Sequence, residues 1–169
     1  MIIIPISNNS RTLAERIASA YPTATLVAYK DFSESTFQTA EQLIFIGALG
    51  ICVRTIAPFA TDKHTDPAVV CIDSTGRFVI SVLSGHIGGA NELTRDLAHY
   101  LGAEPIITTQ SDNTQLWALD TLPRQFDWSW QAAKSNAAIA AFVNQEPTAL
   151  LLDIRDRGTD YLERTAPAH

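Results

Sequence analysis

The chain has 169 residues, 46% of them hydrophobic, with 12 Lys and Arg against 18 Asp and Glu and a net charge of −6. A chain of this length buries roughly 70% of the surface it exposes unfolded, enough for one self-supporting domain with a small appendage and no disulfide or metal staple. Scattered cations in an acidic background exclude a nucleic-acid binder, whose phosphate affinity needs clustered Lys and Arg. The longest apolar stretch, Leu43 to Val53, holds Gly47 and Gly50 and is about half the length a bilayer requires, so no membrane span is expected.

Met1 to Pro5 carries no basic residue and no small-residue cleavage site follows it, so no export signal is expected. Short β-branched runs at Ile2 to Ile6, Thr23 to Val27, Leu43 to Ile46, Ala68 to Ile72, Phe78 to Leu83 and Pro105 to Thr108 read as strands. Between the first two, Ser10 can cap a helix whose Leu13, Ile17 and Ala20 form one stripe. Ser35 with Gln38 resembles a capping box for a second, short helix. Cys52 and Cys71 lie in apolar runs and read as buried, reduced thiols of a cytoplasmic protein. Asp73-Ser74-Thr75-Gly76 separates two runs at hairpin distance and predicts one antiparallel pair. The clearest helix runs from about Gly89 to Leu101, with Ala90, Leu93, Leu97 and Leu101 on one face and Gly102 ending it.

Alternating strands and helices predict a three-layer α/β/α domain with a mainly parallel sheet over residues 1 to 112. Residues 113 to 169 read as a linker and small C-terminal appendage. It contains exposed-looking Trp128 and Trp130, an Ala-rich helix from about Gln131 to Val143, and a strand-like piece from Ala149 to Ile154.

Three turns follow predicted strands: Gly47 to Gly50, Ser84 to Gly89, and Thr108 to Asp112. In an open parallel sheet the carboxyl ends of the strands form the usual crevice, so the three turns are expected to converge there. In the second, closely spaced glycines before a helix let backbone N–H groups approach a phosphate, a carboxylate or a developing oxyanion. The plainer reading is a tight turn with close helix packing. The spacing fits neither the dinucleotide fingerprint nor a nucleoside-triphosphate loop. His86, inside this turn, can give and take protons near neutrality, or serve as a surface residue or cap. His64 and His99 read as surface histidines. Ser84 lacks the glycine pattern of a nucleophile elbow and reads as a hydroxyl that binds substrate or caps the helix. A zinc site from His64, Asp66 and His86 has no supporting spacing, so no metal is expected. Arg54, among apolar neighbours, must reach water, a ligand or an acid such as Asp66 or Asp73. Lys63 is a second candidate cation, or a solvated charge.

Ile44-Phe45-Ile46-Gly47-Ala48-Leu49-Gly50-Ile51-Cys52-Val53-Arg54 and Ile56-Ala57-Pro58, then Asp62-Lys63, Asp66-Pro67-Ala68-Val69-Val70 and Leu83-Ser84-Gly85-His86-Ile87-Gly88-Gly89-Ala90-Asn91-Glu92-Leu93, with Ile107-Thr108-Thr109, Asp112 and Ala118-Leu119-Asp120-Thr121-Leu122, together resemble the cobalt-precorrin-5A hydrolase (CbiG) family of anaerobic cobalamin biosynthesis. The motifs cover residues 43 to 122. The resemblance implies hydrolysis of the δ-lactone of cobalt-precorrin-5A with release of acetaldehyde, giving cobalt-precorrin-5B. Cobalt would enter with the substrate and no separate cofactor is expected. Other enzymes of the pathway are the expected partners, and residues 113 to 169 are expected to lead toward a further domain.

Joined to the residues, the resemblance implies His86 as general base. Gly50, Arg54, Lys63, Ser84, Gly85, Gly88, Gly89, Asn91, Thr108, Thr109 and Asp112 become the substrate-binding set, with Gly88 and Gly89 as oxyanion donors and Ile51 and Ile87 against the ring. Two other classes stay open: a non-catalytic tetrapyrrole-binding module, and a flavodoxin-like domain for a phosphorylated cofactor.

Overall fold

The computed structural model describes residues 1–62, 64–114, 116–129, 131 and 135–167. The chain forms two compact units, Met1–Ile107 and Thr108–His169. The first carries strands β1 (Ile2–Pro5), β2 (Thr25–Leu26), β3 (Gln42–Ile46), β4 (Ala68–Ile72), β5 (Phe78–Leu83) and β6 (Glu104–Ile106), with helices α1 (Arg11–Ala20), α2 (Glu34–Thr39), α3 (Leu49–Ile56) and α4 (Ala90–Leu101). The sheet order is β2-β1-β3-β4-β5-β6.

The apolar runs are continuous because both faces of the sheet are covered. In β3, Ile44 and Ile46 pack with α1 and α4, while Leu43 and Phe45 pack with Phe37 of α2 and Cys52 and Ile56 of α3. In β4, Ala68, Val70 and Ile72 take the first face and Val69 and Cys71 the second. The three-layer α/β/α reading therefore holds. Cys52 and Cys71 are free and buried, and hydrogen bonding with Cys71, then burial, pushes the Cys52 thiol pKa up.

β1 to β4 run parallel, β5 turns back antiparallel to β4, and β6 follows β5 in parallel. The reversal is set by Asp73, whose carboxylate accepts the backbone N–H groups of Thr75, Arg77 and Phe78 at 2.9, 2.8 and 2.6 Å and the Thr75 hydroxyl. Burial alone would raise its pKa, but the Thr75 hydroxyl and these N–H groups outweigh burial and hold it below the ordinary carboxylate value. A carboxylate depressed on folding contributes stability that is complete above its unfolded value near 3.9 and is lost as pH falls through the folded value. Asp73→Asn is expected to lower stability at pH 7 by about 1 to 2 kcal/mol, the scale of charge-assisted hydrogen bonds on a part-exposed turn. Thermal melts near pH 7 and near pH 2 check it: the loss should shrink in acid, and an equal loss at both would assign the effect to shape rather than charge.

α4 matches its sequence prediction. Gly89 before it and Gly102 after it are both left-handed, and Gly102 and Ala103 return N–H bonds to the last turn. Two caps differ from expectation. α2 is capped by Ser33, which accepts from the Thr36 N–H at 3.3 Å; the Ser35–Gln38 pair lies inside that helix, where Gln38 bonds Glu34 instead. Ser10 precedes α1, but its hydroxyl meets Ser7 at 3.1 Å rather than the helix backbone.

The second unit holds α5 (Gln110–Thr114), α6 (Leu122–Phe126), α7 (Ser135–Val143) and α8 (Arg157–Thr165). Its own small core consists of Trp117, Leu122, Phe142 and Leu162. Trp117 stacks on Phe142 at 5.9 Å and donates to the Thr165 hydroxyl at 2.9 Å. Trp128, expected on the surface, is half-buried: its indole N–H bonds Asp156, which caps α8, and its ring closes on Gly158, where a Cβ would come within 2.1 Å. Trp130 lies outside the described residues. Ala149 to Ile154 is irregular rather than a strand, with Leu151 and Ile154 exposed. Among the described residues no helix is long and apolar enough to cross a membrane.

Candidate functional site

The turn from β5 into α4 is closed on itself. Ala90 N–H donates to the Ser84 carbonyl at 3.2 Å, Gly89 N–H to the His86 carbonyl at 3.0 Å and Asn91 N–H to the Gly85 carbonyl at 3.0 Å. Ser84 adopts a left-handed φ of +55°, an uncommon conformation for a residue with a side chain. Its hydroxyl donates to the Asp66 carbonyl at 3.0 Å. Two glycines are sterically required: a Cβ at Gly88 would lie 2.5 Å from the Ser84 Cβ and 2.9 Å from its carbonyl oxygen, and one at Gly85 would lie 2.8 Å from Asn91 Oδ1. Gly89 has open space around it and is fixed instead by its φ of +83°. His86 sits half-buried within this knot.

That geometry shows how four of the expected site residues are used within the turn. The Gly89 N–H is used inside the turn, so it is not an oxyanion donor. Asn91 is 3% exposed, and its carboxamide oxygen accepts from Ser81 at 2.7 Å, so it supports the turn from within rather than touching a substrate. Gly85 is demanded by Asn91 beneath it. Ser84, expected to bind substrate or cap the helix, gives its proton to the Asp66 carbonyl, and α4 has no side-chain cap.

Beside the knot runs the loop into β4. The Asp66 carboxylate accepts the N–H groups of Thr61 and Asp62 at 2.9 and 3.1 Å, and Asp62 accepts that of His64 at 2.9 Å. His64 is exposed, and so is His99 in the last turn of α4. Lys63 lies outside the described residues. Among the described residues no three His, Cys, Asp or Glu side chains are grouped to hold a metal ion.

Gly47 to Gly50 is elsewhere. The Gly47 N–H bonds the Ile72 carbonyl at 2.8 Å, at the carboxyl end of β3 and β4, whereas Ser84 bonds Asp66, at the amino end of β4. The expected convergence of these two turns is therefore overturned. The cause is the β4–β5 hairpin, since one antiparallel step sends the end of β5 to the opposite edge of the sheet. β6, parallel to β5, ends on the Ser84 edge. Thr108, Thr109 and Asp112 belong to the second unit, where the Thr109 hydroxyl donates to the Asp112 carboxylate as α5 begins.

Arg54 stands on α3, a helix that the sequence reading does not include. Its two suggested acidic partners are engaged elsewhere: Asp66 with the loop at one edge, Asp73 with the hairpin at the other. The Arg54 side chain is exposed and lies back along the helix toward Gly50. It borders a depression of about 480 Å³ lined by Tyr29, Phe32, Ile51, Arg54, Thr55 and Phe59. Tyr29, which the sequence reading passed over, bonds Thr55 across that depression at 2.9 Å. It also lines a neighbouring cleft of about 560 Å³ at the carboxyl ends of β1 and β2, together with Arg11 and Lys30. Its place just beyond a parallel strand was the available signal.

Residues 31–112 match the family described as "Cobalamin synthesis G N-terminal" and residues 117–169 the one described as "Cobalamin biosynthesis central region". The chain is 46% identical over 136 residues to a cobalt-precorrin-5A hydrolase of Priestia megaterium, covering 80% of this chain and 36% of that protein. With the cobalt-precorrin-5A hydrolase of Salmonella typhimurium it shares 54% identity over 99 residues, 59% of this chain and 28% of that protein. The chain thus spans roughly a third of the length of these curated relatives. The crystal structure of a cobalamin biosynthesis protein G homologue from Sulfolobus solfataricus superposes with a TM-score of 0.61 at 25% identity, over 93% of this chain and 51% of that one.

Proposed function

The chain belongs to the cobalamin synthesis G family, of which it carries the N-terminal and central regions, and on that premise we propose that it takes part in opening the δ-lactone of cobalt-precorrin-5A and releasing acetaldehyde. The relatives' names supply the substrate. The observation that carries the chemistry is the Ser84–Asn91 turn, where a serine at positive φ and two glycines without room for a Cβ fix the backbone that carries His86. Strain kept at one place in a fold is characteristic of functional sites.

In this reading His86 takes a proton from water as it adds to the lactone carbonyl. His86 passes that proton to the departing ring oxygen and is neutral again, so the ring ester opens to a free hydroxyl and a carboxylate whose proton goes to solvent, with the Gly88 N–H as a donor for the oxygen that gains charge. His86 then removes the proton of the hydroxyl. The carbon–carbon bond breaks, acetaldehyde leaves, and the macrocycle takes the electron pair and a proton. One water is consumed and no redox partner is needed. A net charge of −6 opposes a polycarboxylate at long range. Screening over about 8 Å at physiological salt leaves cations close to the bound ring, for which Arg54 and Lys63 are the sequence's candidates, to decide placement.

The test is acetaldehyde release from cobalt-precorrin-5A by the 169-residue chain, alone and mixed with the remaining C-terminal portion of the Priestia megaterium relative. Release is expected in the mixture and little from the chain alone. No release in either arm would sink the reading, and full release from the chain alone would place the whole site within it.

A further inference from the structure

The connections after β1, β2 and β3 leave the sheet toward different faces. After β1 the chain passes to α1, which packs with Ile44 and Ile46; after β2 it passes to α2 and after β3 to α3, whose Phe37, Cys52 and Ile56 pack on the opposite face. β1 lies between β2 and β3 and runs parallel to both. Neighbouring parallel strands whose connections part in this way leave a crevice beyond their carboxyl ends, the usual place for a ligand in an open α/β sheet. The cleft of about 560 Å³ at the ends of β1 and β2 is that crevice. It lies at the edge away from the Ser84–Asn91 turn, which meets β4 at its amino end, and none of its residues has a part in the reaction proposed there.

What the cleft presents decides the chemistry. Arg11 comes to it from α1 on one side and Lys30 from the turn after β2 on the other, and no carboxylate lines it, in a chain whose acids outnumber its bases by 18 to 12. Glu15 accepts from the Arg11 Nε at 3.0 Å, and the two terminal nitrogens of that guanidinium have no acceptor among the described residues. Asp31 follows Lys30 in the chain but stays outside the lining. The Ser7 hydroxyl, which shares a bond of 3.1 Å with that of Ser10, and the Asn8 carboxamide add two neutral donors. Two cations with two further donors exceed what one carboxylate can use and suit the three oxygens and double charge of a phosphate monoester. Pro5, Ile6, Leu26 and Val27 supply apolar wall, and Leu26 is 41% exposed. The volume falls in the range of pockets that take whole small molecules, so the anion has room to carry an apolar body.

We propose that this cleft is a second ligand site of the chain, for a small organic phosphate: the phosphate sits between Arg11 and Lys30 with Ser7 and Asn8 as donors, and the organic body lies against Ile6, Leu26 and Val27. A bare anion would leave those walls unused, and an uncharged apolar molecule would leave two cations facing it. The site is independent of the reaction at His86, and neither stands or falls with the other.

The test is a nuclear magnetic resonance titration of the isotope-labelled 169-residue chain with phenyl phosphate, adenosine 5′-monophosphate, inorganic phosphate and benzoate. Both esters are expected to shift the backbone amides of Ser7, Asn8, Arg11 and Lys30, and to bind about fivefold or more tightly than inorganic phosphate or benzoate. Arg11→Gln and Lys30→Gln should each weaken the esters by about two- to fivefold, the worth of an exposed ion pair. Arg164→Gln, an equal charge change in the second unit, should not. Leu26→Ser should weaken phenyl phosphate and leave inorganic phosphate unchanged, because only the ester reaches the apolar wall. All four side chains are exposed, so the variants should melt with the parent. No shift at these amides with either ester would overturn the site. Inorganic phosphate binding as tightly as the esters would make it a site for a bare anion, and benzoate binding as tightly would make it a carboxylate site; either result would overturn the organic phosphate.

Discussion

His86→Gln is expected to reduce acetaldehyde release from cobalt-precorrin-5A by roughly 10²- to 10⁴-fold, the contribution of a positioned general base. Glutamine keeps much of the size and hydrogen-bonding capacity of imidazole but cannot take up a proton at neutral pH, so the change removes the proton transfer and little else. The turn's closure uses backbone groups of Ser84, Gly85, His86, Gly89, Ala90 and Asn91 and the Ser84 hydroxyl, and a thermal melt beside the assay checks that the variant keeps it. Corrinoid binding, read by titration, should therefore stay close to the parent while the turnover number collapses. Equal turnover in the variant would exclude His86 as the base. Lost binding together with lost turnover would make it a substrate contact.

Much of the first unit was legible because its physics is local. β3 and β4 read as strands from short apolar runs, and burial on both faces explains why those runs do not alternate. Gly102 announced the end of α4, since a left-handed cap is what glycine supplies there. The Asp73 turn announced the hairpin. What does not follow from composition is the consequence of that hairpin, that the end of β5 leaves from the edge opposite Gly47, because the residues of a turn do not carry the direction of the strand before it. α3 was missed for a different reason. Its Leu49-Gly50-Ile51-Cys52-Val53 continues the apolar run of β3 without a polar break, and two glycines suggested a turn where one of them lies inside a helix.

The roles inside the candidate site were less legible still. Asn91 follows a glycine pair and reads as a ligand-facing amide. Only the structure shows it 3% exposed with Ser81 as partner. Gly89 reads as a donor until its N–H is found on His86. Spacing fixes which residues share a turn, but hydrogen bonds within the turn decide which donors are left over. In the second unit, Trp128 looked exposed among polar neighbours because its partners, Asp156 and Gly158, lie about thirty residues further along the chain.

Gly88→Ala is expected to destabilise the first unit by about 2 to 4 kcal/mol, the upper range for overpacking a tight site. For a unit of this size that lowers the melting temperature by about 10 to 20 °C. The added Cβ would lie 2.5 Å from the Ser84 Cβ, 2.9 Å from the Ser84 carbonyl oxygen and 3.4 Å from the Ala68 nitrogen. Two of these neighbours are backbone, and the third belongs to a residue already held at φ +55° by its bond to Asp66. None can retreat without opening the turn. Gly89→Ala is the matched comparison: nothing lies within 4 Å of a Cβ there, so its loss should reflect only the φ of +83° and stay near 1 to 2 kcal/mol. Both alanines keep their N–H groups, so a fall in activity that follows the fall in stability would show that the glycines build the turn rather than serve as chemical groups. Melts of the parent and the two variants decide it. Gly88→Ala should be the less stable of the pair, and a Gly88→Ala protein that melts with the parent would mean the turn is not closed over Ser84.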